Sequence, residues 1–148
     1  MTQEDKELLL QDLCARLPYG VKAKSQISHL EINTIDSYFI DGDGRKMFHL
    51  SDPDFWQTVD DFQYYLRPMS SMTEKEKKEM HEKLSSMGTA IYKEEGISTP
   101  LNHYGEWIPY EYMSRIIDWL NAHHFDYRGL IPKGLAIAVT EENNPYKE

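Results

Sequence analysis

The apolar residues of this chain change their spacing once, at the turn Pro18-Tyr19-Gly20, and this change constrains the fold more than any other feature. Residues 9–17 repeat leucine at helical intervals, and Thr2 with Asp5 has the spacing of a capping box, which together predict a first helix over about residues 3–17. Within residues 21–50 apolar side chains instead alternate as strands do when one face is buried, in the pairs Val21/Ala23, Leu30/Ile32, Tyr38/Ile40 and Phe48/Leu50. We therefore expect a helix followed by three or four short antiparallel strands, with a hairpin turn at residues 41–44 (Asp-Gly-Asp-Gly).

Helical spacing returns in the second half of the chain. Thr73 and Glu76 have the spacing of a capping box, which predicts a helix over about residues 74–87. Pro109 suits a first helical position, and the apolar residues after it predict a helix over about residues 110–123. The remaining expected elements are one or two short helical pieces from the spacing of Phe55, Val59, Phe62 and Leu66, and short strands near 90–93, 107 and 135–139.

These elements together predict an α+β fold. A small antiparallel sheet of three to five strands, which could close in a barrel-like way, is expected to pack with about three helices. Residues 1–140 are predicted to form a single domain, because 148 residues suit one hydrophobic core and no linker composition divides the chain. Residues 141–148 are expected to be a solvated C-terminal tail.

Charge and cysteine content exclude several classes of protein. The net charge is -9, without a Lys/Arg stripe, so direct nucleic-acid binding is disfavoured. Cys14, the only cysteine, cannot form an internal disulfide, and it is predicted on the buried face of the first helix. No run of eighteen apolar residues or signal-peptide pattern occurs, which predicts no membrane span and a cytoplasmic location.

The segment 118–131 concentrates side chains that could bind something. His123, Tyr127 and Arg128 are candidates for contact with a ligand or partner at one edge of the third helix. Trp119 and Leu120 are interpreted as core residues. A metal site would need side chains from more distant positions, because adjacent histidines diverge by about 100° on a helix. The alternative metal set is His103, His123, His124 and Asp126.

No catalytic motif accompanies these residues. The chain lacks the nucleophile elbow, the phosphate-binding glycine loop and the H-E-x-x-H zinc motif. No catalytic residue and no cofactor are therefore predicted.

Three segments, at residues 4–22, 65–77 and 118–136, resemble a family of short uncharacterised proteins. Their sequences are EDKELLLQDLCARLPYGVK, YLRPMSSMTEKEK and DWLNAHHFDYRGLIPKGLA. Such proteins are encoded by gut anaerobic bacteria, their phages and other mobile elements. The resemblance covers about a third of the chain and implies a bacterial, cytoplasmic or phage-associated setting, without assigning any residue a role.

The leading hypothesis is a non-enzymatic accessory or protein-interaction domain that presents an acidic, aromatic-containing surface to a protein partner. One alternative is a metal-dependent hydrolase or small-ligand binder that uses the four residues of the metal set. Another is an acidic decoy that mimics nucleic acid and occupies a nucleic-acid-binding protein.

Overall fold

The computed structural model describes residues 1–51, 55–85, 92–93, 96–97 and 110–147. The chain forms two compact units. The first unit contains Met1–Leu66 and Arg128–Glu148, and the second contains Arg67–Tyr127. Each unit has its own cluster of buried apolar side chains.

The first unit begins with helix α1, Gln3–Arg16, and continues with an open six-stranded sheet. Thr2 and Asp5 form the expected capping box at the start of α1, and Gly20, with a φ of 71°, ends the short 3-10 turn that follows it. The strands are β1 Val21–Ser25, β2 Asn33–Ile40, β3 Lys46–Leu50, β4 Phe55–Gln57, β5 Phe62–Leu66 and β8 Ile137–Ala138.

The strands lie in the order β4-β3-β2-β1-β5-β8. All neighbours pair antiparallel except β5 and β8, which pair parallel through Tyr65 with Ile137 and Leu66 with Ala138. Gly44, with a φ of 78°, completes the predicted hairpin turn between β2 and β3. The α+β fold is thus confirmed, with six strands in this sheet and no closure into a barrel.

The core of this unit lies between α1 and one face of the sheet. It is made by apolar side chains that alternate along each strand, and Leu9 and Leu13 of α1 join them. The principal sheet residues are Val21, Ala23, Ile35, Phe48, Leu50, Phe62, Tyr64 and Leu66.

Two predictions in this unit are wrong. The helical pieces expected from the spacing of Phe55 to Leu66 are instead strands β4 and β5. Residues 62–66 also satisfy a two-residue period, and pairing of β5 with β1 buries Phe62, Tyr64 and Leu66 on one side. The alternation at Leu30 and Ile32 does not form a strand, because residues 26–32 turn and β2 begins only at Asn33.

The prediction of which face of α1 is buried is also wrong in part. Cys14 is exposed, whereas Asp12 and Arg16 are completely buried. Some desolvation still raises the pKa of the Cys14 thiol above its ordinary value. The stripe that faces the sheet is Leu9, Asp12, Leu13 and Arg16.

The C-terminal segment returns to this unit. Most of residues 141–147 are exposed, but Tyr146 reaches the sheet. Its hydroxyl accepts a hydrogen bond from Lys22 N at 3.2 Å and donates one to the Tyr65 carbonyl at 2.8 Å. Burial raises the pKa of Tyr146 to about 12.

The second unit contains helices α2, Glu74–Ser85, and α3, Tyr110–Ala122, close to their predicted bounds. It also contains a two-stranded antiparallel sheet of β6, Tyr92–Lys93, and β7, Gly96–Ile97. Trp119 and Leu120 are buried, as predicted, and pack with Ile116, Phe125 and methionines 69, 72 and 80. The strand expected near residue 107 lies outside the described residues.

Candidate functional site

His123, the first of the predicted contact residues, packs against its own helix. Its Nδ1 lies 2.9 Å from the Trp119 carbonyl, to which the ring donates, and its ring stacks on the Trp119 indole with centroids 3.9 Å apart. These contacts fix the ring orientation and occupy one of its two nitrogens.

Tyr127 and Arg128 are adjacent in sequence but belong to different units. The Tyr127 hydroxyl donates to Asn121 Oδ1 at 2.9 Å, within the second unit. Arg128 Nε lies 3.3 Å from Asp12 Oδ1, within the first unit. The polar atoms of both residues therefore already make contacts within the fold.

The proposed metal set is only partly described. His103 lies outside the described residues. His124 has a φ of 64° and lies in the turn that follows α3, and its carbonyl accepts a hydrogen bond from Arg67 N at 2.8 Å. Asp126 is buried. Within the described part of the chain, no three His, Cys, Asp or Glu side chains cluster as metal ligands would, and a set completed by His103 stays a prediction.

The first unit contains a buried ionic cluster that sequence reasoning missed. The Asp12 carboxylate accepts hydrogen bonds from Arg16 Nε at 2.7 Å, from Arg16 Nη2 at 3.1 Å and from the Tyr64 hydroxyl at 2.7 Å. Arg128 approaches the same carboxylate from the other segment of this unit. Because three hydrogen bonds and a second guanidinium converge on one buried carboxylate inside the fold, the cluster has the character of a structural network.

The surface with the clearest binding character is an aromatic cluster on β2, β3 and β4. Phe48 and Gln57 are buried, so the residues that alternate with them, His49 and Trp56, lie on the opposite face of the sheet. Phe39 of β2 joins them, because it pairs with Met47 on the outward side of β3. We call Phe39, Met47, His49 and Trp56 the outer aromatic face.

The rings of this face contact one another and remain accessible. Phe39 and Trp56 meet edge to face with centroids 4.5 Å apart, and His49 lies 5.0 Å from Trp56. Phe39 is 42% exposed and Trp56 is 41% exposed. Strand β4, which carries Trp56, is an edge strand of the six-stranded sheet as described.

Asp36 adds an anionic group beside the rings. Its Oδ1 lies 2.8 Å from His49 Nδ1. Desolvation alone would raise the pKa of Asp36, but hydrogen bonds from His49 and Ser37 hold that pKa below its ordinary value. The carboxylate is therefore charged at neutral pH and positions the His49 ring next to Trp56.

Two of the residues of this face could have been identified from the sequence. Phe39 and His49 lie out of phase with the buried positions of their strands, which marks them as outward-facing aromatic side chains. The outward position of Trp56 was not predicted, because the residues around it were assigned to a helix.

Comparisons of the chain with protein-family models, with curated proteins and with solved structures find no match. Among the described residues, no helix is both long enough and apolar enough to cross a membrane.

Proposed function

We propose that this chain is a non-enzymatic protein-interaction domain, and that its binding surface is the outer aromatic face. The observation that carries the proposal is the pair Phe39 and Trp56, two large rings in contact with each other that keep about two fifths of their surface open to solvent. Aromatic residues clustered in this way are typical of the energetic centres of protein interfaces.

The charge of the chain indicates the kind of partner. The first unit carries 15 acidic and 9 basic side chains, a net charge of -6 within a chain of -9. Exposed Asp36 adds a carboxylate at the edge of the rings. The partner that fits is a protein segment with apolar side chains to cover the rings and basic side chains around them.

The cellular setting is part of the same proposal. The resemblance of three segments to proteins of gut anaerobes and their mobile elements supports a bacterial or phage-associated role. An exposed free cysteine suits a reducing compartment such as the cytoplasm.

Affinity capture with matched variants tests this function. The immobilised chain and the double variant Phe39→Ser/Trp56→Ser are each exposed to lysate of the bacterium that encodes the chain. The control, Ile27→Ser/Leu30→Ser, also removes two exposed apolar side chains, but from the loop between β1 and β2. We expect a basic protein that the wild type and the control retain and that the face variant loses.

The captured protein is then purified and titrated against each variant. The face variant should bind it at least about tenfold more weakly, since truncated aromatic anchors cost on the order of 2 kcal/mol each. Added salt should weaken the wild-type complex. Equal binding by the face variant and the wild type would remove the outer aromatic face from the proposal.

A further inference from the structure

A second surface of the first unit has the features of a small-molecule site. A cleft of about 380 Å3 lies between the N-terminal half of α1, the β2–β3 turn and the connection from β4 to β5. We call it the α1 cleft. Its volume is at the small end of the range for ligand pockets. Lys46 shares the core-facing side of β3 with Phe48 and Leu50, so the α1 cleft and the outer aromatic face lie on opposite sides of this strand.

The floor and the rim of the α1 cleft differ in chemistry. Leu10 of α1 and Val59 line it and also pack against the core of the unit, so they form an apolar floor. The rim carries three cationic side chains, Lys6, Arg45 and Lys46, and two carboxylates, Glu7 and Asp60. The lining is therefore net positive, although the unit around it is strongly acidic.

The carboxylates near this cleft are already engaged. Asp60 accepts from Lys6 Nζ at 2.9 Å, and Glu7 accepts from Gln3 Nε2 at 3.3 Å. Asp41, outside the cleft, holds Arg45 through both its backbone N–H and its Nε, each at 2.8 Å. Arg45 Nη2 also donates to Asp43 Oδ2 at 3.3 Å, so the guanidinium is fixed at the rim and its Nη1 extends beyond these contacts.

Lys46 differs from its two cationic neighbours. In the part of the chain that the structure describes, its ammonium has neither a hydrogen bond nor an ion pair. A cation of this kind, beside an oriented guanidinium and above an apolar floor, suits a ligand with an anionic group at one end and an apolar body at the other.

We infer that the α1 cleft binds a small organic anion, with Lys46 and Arg45 on the anionic group and Leu10 and Val59 under the apolar part. Lys6 stays with Asp60 and closes one side. This proposal does not rest on the protein-binding surface, so a test can contradict either proposal without contradicting the other.

Phenyl phosphate serves as the probe, because it joins an anionic group to an apolar ring. Phenol and inorganic phosphate each keep only one of the two parts. Titrations followed by amide NMR should show saturable shifts at residues 44–46 and 58–60 with phenyl phosphate below about 10 mM, and weaker binding of both fragments. Lys46→Gln should weaken phenyl phosphate binding about fivefold, as loss of a charge-assisted contact does.

Lys24→Gln is the matched control, since it removes the same charge from an exposed position on β1 that does not line the cleft. It should leave the affinity unchanged. Three results would overturn the inference: no saturable shifts at these residues, equal weakening by both lysine variants, or inorganic phosphate or phenol binding as tightly as phenyl phosphate.

Discussion

Asp12 and Arg16 show why the buried face of α1 was misassigned. The helix carries two apolar stripes, one through Leu9 and Leu13 and one through Leu10 and Cys14, about 100° apart. Leucine spacing alone cannot distinguish them. The stripe with Asp12 is the buried one because two residues far away in sequence satisfy its carboxylate: Tyr64 donates a hydrogen bond to it and Arg128 forms an ion pair with it. Such partners become visible only in the fold.

The first prediction concerns that carboxylate. Asp12→Asn keeps its shape but leaves two guanidinium groups without the neutralising charge, so the first unit should lose about 3 kcal/mol of unfolding free energy. Urea unfolding followed through the amide signals of β1 and β2 measures this loss. Asp60→Asn removes the charge from a half-exposed ion pair with Lys6 and should cost less than about 1 kcal/mol. Equal effects of the two changes would contradict a structural role for the cluster.

At the residue scale, the sequence predicted only part of what the side chains of residues 118–131 do. Trp119 and Leu120 were correctly assigned to the core, because apolar side chains at helical spacing require a buried face. The contacts of His123 with Trp119 and of Tyr127 with Asn121 depend on how α3 ends, which no spacing rule specifies.

The elements of this chain were predictable where local chemistry dominates. Capping boxes and apolar spacing located α1 and α2, because their first-turn hydrogen bonds come from residues three positions apart. Strands β4 and β5 were missed because their identity depends on pairing with β3 and β1. Phe55, Val59, Phe62 and Leu66 suit a helix in isolation, and the sheet overrides that preference.

The second prediction concerns the start of α2. Glu76 accepts from Arg67 Nη1 and Nη2, each at 2.7 Å, and from Thr73 N at 3.1 Å. Desolvation opposes ionisation, but these bonds lower the pKa of Glu76 to about 2. Since the unfolded chain binds this proton more readily, the stabilisation is complete above about pH 5 and is lost as the pH falls towards 2.

Glu76→Gln should therefore flatten the acid limb of unfolding, measured from the amide signals of α2 between about pH 5 and pH 2. Glu74→Gln changes a highly exposed side chain of the same first turn and should leave that limb intact. An unchanged acid limb in the Glu76 variant would show that the Arg67 pair contributes nothing to the stability of this helix.

At the scale of the whole molecule, long-range contacts connect parts of the chain that sequence reasoning treated separately. Tyr146 was assigned to a solvated segment, since its neighbours are charged or polar. Its hydroxyl instead joins the backbones of β1 and β5. The charge balance was readable from sequence, but the separation of the outer aromatic face from the α1 cleft required the strand register.

The third prediction follows from that contact. Tyr146→Phe removes one acceptor and one donor from backbone groups in a buried setting, so it should cost the first unit about 1–3 kcal/mol. Tyr19→Phe is the control, because within the described residues its hydroxyl makes no hydrogen bond. Thermal and urea unfolding of both variants measure the difference. Equal stabilities would mean that the C-terminal segment does not hold the sheet.

The central claim is that the outer aromatic face binds a protein, and site-specific photo-crosslinking tests it most directly. A photoreactive phenylalanine analogue replaces Trp56 in one version of the chain and exposed Ile27 in the other, and both are irradiated in cells of the bacterial host proposed above. We predict one discrete crosslinked product, with a basic protein, from position 56 and none from position 27. No product from position 56, or the same products from both positions, would contradict the account.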